Sequence, residues 1–180
     1  MFEDKLLIWK LKRGSSEALE KIYEKYELFL TTVAMALSNN IDVAEDVVHD
    51  FFVSLVVSAD KLRINGNLKA YLAICVANLT RDRLRRKQRE SVGLDNNIQI
   101  ASAAMEPEQS AIRQEESLKL YLAISQLPYE QKEVIVLHLH GSMKFTQIAK
   151  LRGVSVNTVR SQYRYGLSKL RSLMNGEVIQ

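Results

Sequence analysis

This sequence predicts an all-α fold: two small helical domains joined by a flexible linker, the C-terminal one containing a helix-turn-helix. Apolar residues recur at helical spacing through almost every periodic segment, while the alternation of a half-buried strand is scarce. Only two prolines interrupt the 180 residues. From Ser91 to Glu106 the composition turns to Ser, Gly, Asn, Gln and Ala without strong periodicity, as in a linker between two packing units. The expected division is therefore a domain over 1–90, a linker over 91–106 and a second domain over 107–180. If disordered, such a linker reaches about 20 to 25 Å.

The first helix is expected from Glu3 to Lys12, stopping at Gly14, with Ser15 or Ser16 opening a second that runs to about Leu37. Ile22, Tyr23, Tyr26, Phe29, Leu30, Val33 and Leu37 recur at helical spacing along it and are expected in the core. Asn39 and Asn40 break the pattern, and Asp42 followed by Glu45 reads as a capping box for a third helix, Val43 to about Ser58. Val47, Val48, Phe51, Val53, Leu55 and Val56 suit burial there. Glu45, Asp46, His49 and Asp50 line a polar side near its N-terminal half, where acids also suit the helix dipole. Asn65, Gly66 and Asn67 form a loop before a long fourth helix, Leu68 to about Glu90, that ends in a basic block. In the second domain Pro107 begins a helix running to about Gln126, Pro128 begins another to about His140, and Gly141 stops it.

The stretch FTQIAKLRGVSVNTVRSQYRYGLSKL, Phe145 to Leu170, reads as helix, glycine turn and second helix. Ile148, Ala149 and Leu151 give the first helix an apolar side, Gly153 permits the turn, Ser155 caps the second helix, and Val156 and Val159 hold it to the core. Asn157, Thr158, Arg160, Ser161 and Arg164 are left on the free face, where their hydrogen-bonding groups suit base edges and phosphates in a major groove. Earlier, Arg81, Arg83, Arg85, Arg86, Lys87 and Arg89 crowd one short block. A basic run is also what a solvated helix surface looks like. Here, though, Asn78, Arg81 and Arg85 share a stripe with Tyr71, which offers a single strand both stacking and phosphate contacts.

Composition excludes other classes. With 47% hydrophobic residues the chain is no disordered tail, and no apolar run approaches bilayer length. The N-terminus, MFEDKLLIWKLKRG, places acids before its apolar residues and has no small-residue cleavage site, so a cytoplasmic protein is expected. The lone Cys75 rules out an internal disulfide and reads as a small buried hydrophobe. His138 and His140 point to different sides of a helix without a third ligand, so no metal is expected, nor any cofactor. No nucleophile or phosphate loop accompanies the acids at 45–50, so no enzyme and no small-molecule substrate is expected, and the formal charge of +4 leans toward a polyanionic partner.

In this order the segments ALEKIYEKY, DVAEDVVHDFF and LKAYLAICVANLTRDRLRR, then LAISQLPYEQKEVIVLHLHGSMKFTQIAKLRGVSVNTVRSQYRYGLSKL, resemble the bacterial extracytoplasmic-function sigma factors. These are two-domain promoter-recognition subunits of RNA polymerase, and the likeness runs from about Ala18 to Met174. It implies that the third helix binds core RNA polymerase through Asp46, His49, Asp50 and Phe52. It implies that Asn78, Arg81, Arg85 and Arg86, with Tyr71 and the loop from Lys61 to Asn67, engage the opened strand of the minus-ten promoter element. The second helix of the helix-turn-helix would read the minus-thirty-five element as duplex, and an anti-sigma factor is implied as a further partner. The chain departs from the family's usual residues at Val56, Ala77, Lys144, Tyr165 and Leu167, which points to fewer phosphate contacts from the last helix and an atypical promoter. The competing reading is a stand-alone helix-turn-helix regulator that binds duplex DNA as a dimer.

Overall fold

The computed structural model describes residues 2–62, 64, 67–90 and 119–175. Every regular element among them is helical. The chain separates into two compact units, Met1–Asn97 and Ile98–Gln180, and the expected linker over 91–106 lies outside the described residues.

In the first unit α1 (Phe2–Leu11), α2 (Ser16–Ser38), α3 (Ile41–Val57) and α4 (Leu68–Glu90) form a bundle in which α2 packs against the other three and α3 also packs on α4. Burial of Ile22, Tyr26, Leu30, Val33 and Leu37 from α2 against Val47, Val48, Phe51 and Leu55 from α3 and Leu72, Ala73 and Val76 from α4 makes its core. Each of the buried Val, Leu, Ile and Phe side chains among them contributes on the order of 1.5 to 3 kcal/mol by leaving water. Gly14, at φ +79°, turns the chain after α1, and the Ser15 side chain accepts from the Ala18 amide as the α2 cap.

Two expectations for this unit are corrected. The cap of α3 is Asn40, whose Oδ1 accepts from the Val43 amide at 2.9 Å, and the helix starts ahead of Asp42. A residue two positions earlier serves because Asn39 adopts the left-handed conformation, closing α2 and turning the chain sooner than the capping-box pattern implied. Tyr23, Val53 and Val56 are exposed, not buried, and Phe29 is half-buried.

The second unit holds α5 (helical over 119–125), α6 (Tyr129–Ile135), α7 (Phe145–Arg152) and α8 (Val156–Met174). α6 and α7 both pack on α8. Of the helix expected from Pro107, residues 107–118 lie outside the description. Pro128 stands just ahead of α6, which begins at Tyr129 and not at the proline itself, and the helix widens into a π turn, Val136–His140, before Gly141. Gly141 sits at φ −77° and Ser142 takes the left-handed position. Glycine is needed at 141 for space: a Cβ there would lie 2.6 Å from the Leu137 carbonyl oxygen.

Candidate functional site

Asp46, His49 and Asp50 stand exposed along the N-terminal half of α3. Phe52 does not join them. It is only 7% exposed, packed under Tyr23 with ring centroids 4.8 Å apart and against Phe51 at 5.3 Å, so in the free chain it shapes the face from beneath. Val53, Val56 and Val57 extend the face instead, the last 79% exposed, with Tyr23 of α2 also exposed. They follow His49 at i+4, i+7 and i+8, so helical spacing from the polar residues already located them on the uncovered side. Their apolar character hid that.

One arginine of the basic block belongs to the acidic face. Arg83 of α4 reaches across, with Nη2 2.7 Å from Asp46 Oδ2 and Nη1 3.4 Å from Asp50 Oδ2. Residue 83 continues the buried side of α4, in line with Val76 and Thr80, which is why it meets α3 while Arg85 turns away. No local pattern pairs positions thirty-odd residues apart, and the sequence reading missed it.

On the outer side of α4, Tyr71, Asn78 and Arg81 are half-exposed and Arg85 and Arg86 exposed, so the expected stripe exists as one surface. Burial pushes the Tyr71 hydroxyl up to about 12, with Cys75 beside it, and burial also raises the Cys75 thiol. Both stay protonated near neutrality, leaving Tyr71 an uncharged ring and Cys75 a poor nucleophile. Lys61 is exposed at the end of a short 3-10 turn, Ala59–Lys61. Asn67 Oδ1 accepts from the Lys69 amide at 2.9 Å, which engages its side chain at the start of α4. Arg63, Asn65 and Gly66 of the same loop lie outside the described residues.

The helix-turn-helix forms as read. Gly153 is left-handed at φ +64°, Ser155 Oγ accepts from the Thr158 amide at 3.0 Å, and Ile148, Ala149 and Val159 are buried. Asn157, Thr158, Arg160 and Arg164 are exposed and Ser161 half-exposed. Asn157, Ser161 and Arg164 form one outer stripe, with Thr158 and Arg160 on its flanks. The Thr158 hydroxyl also lies 2.8 Å from Ser155 Oγ, within the cap. Among the described residues no group of three or more His, Cys, Asp or Glu is placed to hold a metal ion, and no helix is long and apolar enough to cross a membrane.

Known families match both units. The Sigma-70 region 2 family matches residues 22–90 and the Sigma-70 region 4 family matches residues 117–170, together about two thirds of the chain. The chain is 26% identical over 173 residues to the ECF RNA polymerase sigma factor SigW of Bacillus subtilis, covering 91% of this chain and 92% of that one. It is 28% identical over 145 residues to the ECF RNA polymerase sigma factor EcfG of Rhodopseudomonas palustris, covering 81% and 78%. The chain belongs to the ECF sigma factors. A sigma factor directs RNA polymerase to promoters, which places polymerase and promoter DNA among the partners of this one. The family is not a catalytic one. Among solved structures, this sigma factor is similar to RpoE of Bartonella quintana, determined with the anti-sigma factor NepR, at TM-score 0.69 and 25% identity over 87% of this chain and 98% of that one. It shares the fold of CnrH, determined with the cytosolic domain of CnrY, at TM-score 0.66 and 22% identity over 98% and 99%.

Proposed function

We propose that this sigma factor divides its work among three faces. The α3 face, Asp46, His49 and Asp50 continued by Val53, Val56, Val57 and Tyr23, docks on core RNA polymerase, with Phe52 supporting it. The α4 stripe, Tyr71, Asn78, Arg81, Arg85 and Arg86, with Lys61 and Asn67 at the loop, holds the opened minus-ten strand. The α8 face, Asn157, Thr158, Arg160, Ser161 and Arg164, reads the minus-thirty-five duplex. Residues 1–90 and 107–180 are the two working domains and 91–106 their tether.

The observation that carries this reading is the separation of faces: acids and valines on α3, arginines with a tyrosine and an asparagine on the far side of α4, and an uncovered polar stripe on α8. Acidic and apolar surface together fit a basic protein partner. Arginine beside an aromatic ring fits a single strand, where stacking contributes about 1 to 3 kcal/mol per base. That binding energy offsets the few kcal/mol of unpairing, so strand opening needs no covalent step by the sigma factor. It acts where the polymerase is, in the cytoplasm, and the named RpoE–NepR complex supports an anti-sigma factor as regulator of this chain too.

Run-off transcription with purified core polymerase across a genomic promoter library tests the reading, and promoter-specific products dependent on the chain are expected. Tight binding as a dimer to a palindromic duplex, with no polymerase-dependent product, would instead establish the stand-alone regulator.

A further inference from the structure

We propose that Arg152 is a positioning residue for promoter reading: anchored on Glu133 of α6, it grips Gln162 of α8 and sets the rotation of that helix about its own axis. The proposal rests on α8 being the helix that reads duplex. Arg152 ends α7, only 8% of its side chain is exposed, and its Nε lies 3.1 Å from Oε2 of the fully buried Glu133. Its Nη1 donates to Gln162 Oε1 at 2.5 Å. One planar guanidinium thus ties together α6, α7 and α8, by an ion pair to Glu133 and a directional hydrogen bond to Gln162.

Stability alone does not account for this tie. Burying a charge pair is costly, and apolar residues of similar volume often hold a core as well or better. A directional network instead selects one arrangement among several that apolar packing would allow. Elsewhere α8 is held by packing: the Tyr163 ring stands 5.0 Å from His138 and 5.1 Å from Phe145 between centroids and shares in setting the rotation, to which the Arg152 hydrogen bond adds a sharper directional limit. Gly166 follows Gln162 by one turn on the same side and lies so close to α6 that a Cβ would fall 2.8 Å from Ile135 Cδ1 and 3.1 Å from Gln131 Cβ. That sets how near α8 comes, while hydrophobic contact, being non-directional, limits its rotation less sharply. A rotation of about 20° moves groups at the roughly 5 to 6 Å radius of a helix surface by about 2 Å. Base-edge hydrogen bonds do not tolerate such a shift.

The test uses polymerase reconstituted with the full chain and a duplex promoter pool randomised across the upstream element. Bound DNA is sequenced at a temperature where circular dichroism shows every variant folded. The readout is enrichment of the best word over its single-mismatch neighbours. Arg152→Lys and Gln162→Leu are each expected to lower that ratio about tenfold. The double variant should lose no more than either single one, because both break the same tie. Gln162→Glu keeps the acceptor oxygen and should hold the ratio within about twofold of wild type. A merely structural role would lower occupancy on all words together and leave the ratio alone. Folded Arg152→Lys with the wild-type ratio overturns the proposal, as does a double variant whose loss is the product of the two. A wild-type chain that enriches no upstream word overturns the assignment of α8 itself.

Discussion

Asp46 and Asp50 show why a substitution must be chosen from the structure. Reversing their charge would place lysines against Arg83, so a binding defect would mix lost docking with a new repulsion inside the first unit. Asp46→Asn with Asp50→Asn removes the charge and keeps the shape. If both carboxylates are covered by a cationic partner, the pair should weaken core-polymerase binding by about 2 to 5 kcal/mol. Helical content should stay intact, since exposed ion pairs contribute only about 0 to 1 kcal/mol to folding. Unchanged affinity in a titration against core enzyme would remove α3 from the docking site, and Arg83→Gln is the control for the lost internal bridge. Lys132 offers a second check at this scale. It is buried in α6 and its ammonium lies 3.4 Å from the Ser125 carbonyl, yet burial lowers its pKa to about 8 from the ordinary 10.5. Between those values the unfolded chain holds a proton that the folded chain has lost, so stability rises with pH across that window. Below about 8 both states are charged and the cost of burying the ammonium is present in full. Wild type should therefore gain Tm relative to Lys132→Met as pH rises from 8 to 10.5. A constant difference between the two proteins across that range would show that the amine is solvated after all.

At the scale of elements, the helices were legible because their apolar spacing is strong and their ends carry chemistry of short range. Ser15, Gly153 and Ser155 act as read, since a cap or a left-handed turn involves residues only a few positions apart. The failures have a common cause. Val53 and Val56 are apolar yet exposed because α2 and α4 cover only one side of α3, and coverage is a tertiary property. Arg83 and Arg152 find their partners on other helices, which no local window displays. The outer polar stripe of α8 was legible because it is what remains once Val159 and Gly166 are turned inward. The two glycine turns of this unit also look alike in sequence and differ in physics. Gly153 needs its left-handed φ and has open space around its Cβ position, so Gly153→Ala should cost about 1 to 2 kcal/mol, with Asn recovering part of it. Gly141 has an ordinary φ, but a Cβ would strike the Leu137 backbone oxygen. Gly141→Ala should cost about 1 to 3 kcal/mol and Asn should recover none of it. Urea midpoints of the four variants decide this; recovery by Asn at position 141 would mean that the π turn simply re-forms around a side chain.

For the whole molecule, the proposed roles put paired and unpaired DNA on different units, and that separation can be tested by supplying one form ready-made. On an ordinary duplex promoter the α4 stripe must hold its strand against the free energy of unpairing, a few kcal/mol. Arg85→Ala with Arg86→Ala should weaken that hold and slow open-complex formation. Two lost phosphate contacts should also flatten the slope of log affinity against log salt by about 1.4, at about 0.7 per contact for a single strand. When the downstream element is built as a mismatched bubble, the unpairing cost disappears from the balance, so the same variant should recover much of its activity. Arg160→Ala should respond differently. A bidentate contact to one upstream base pair is worth about 1 to 3 kcal/mol of discrimination, whether or not the downstream strands are already apart. Its defect should persist on the bubble and be confined to one upstream position; a uniform loss over all upstream words would make Arg160 a phosphate contact. Equal rescue of both variants by the bubble, or rescue of neither, would mean that capture and reading are not divided between α4 and α8. In that event the two-unit helical fold would stand while the assignment of its faces would not.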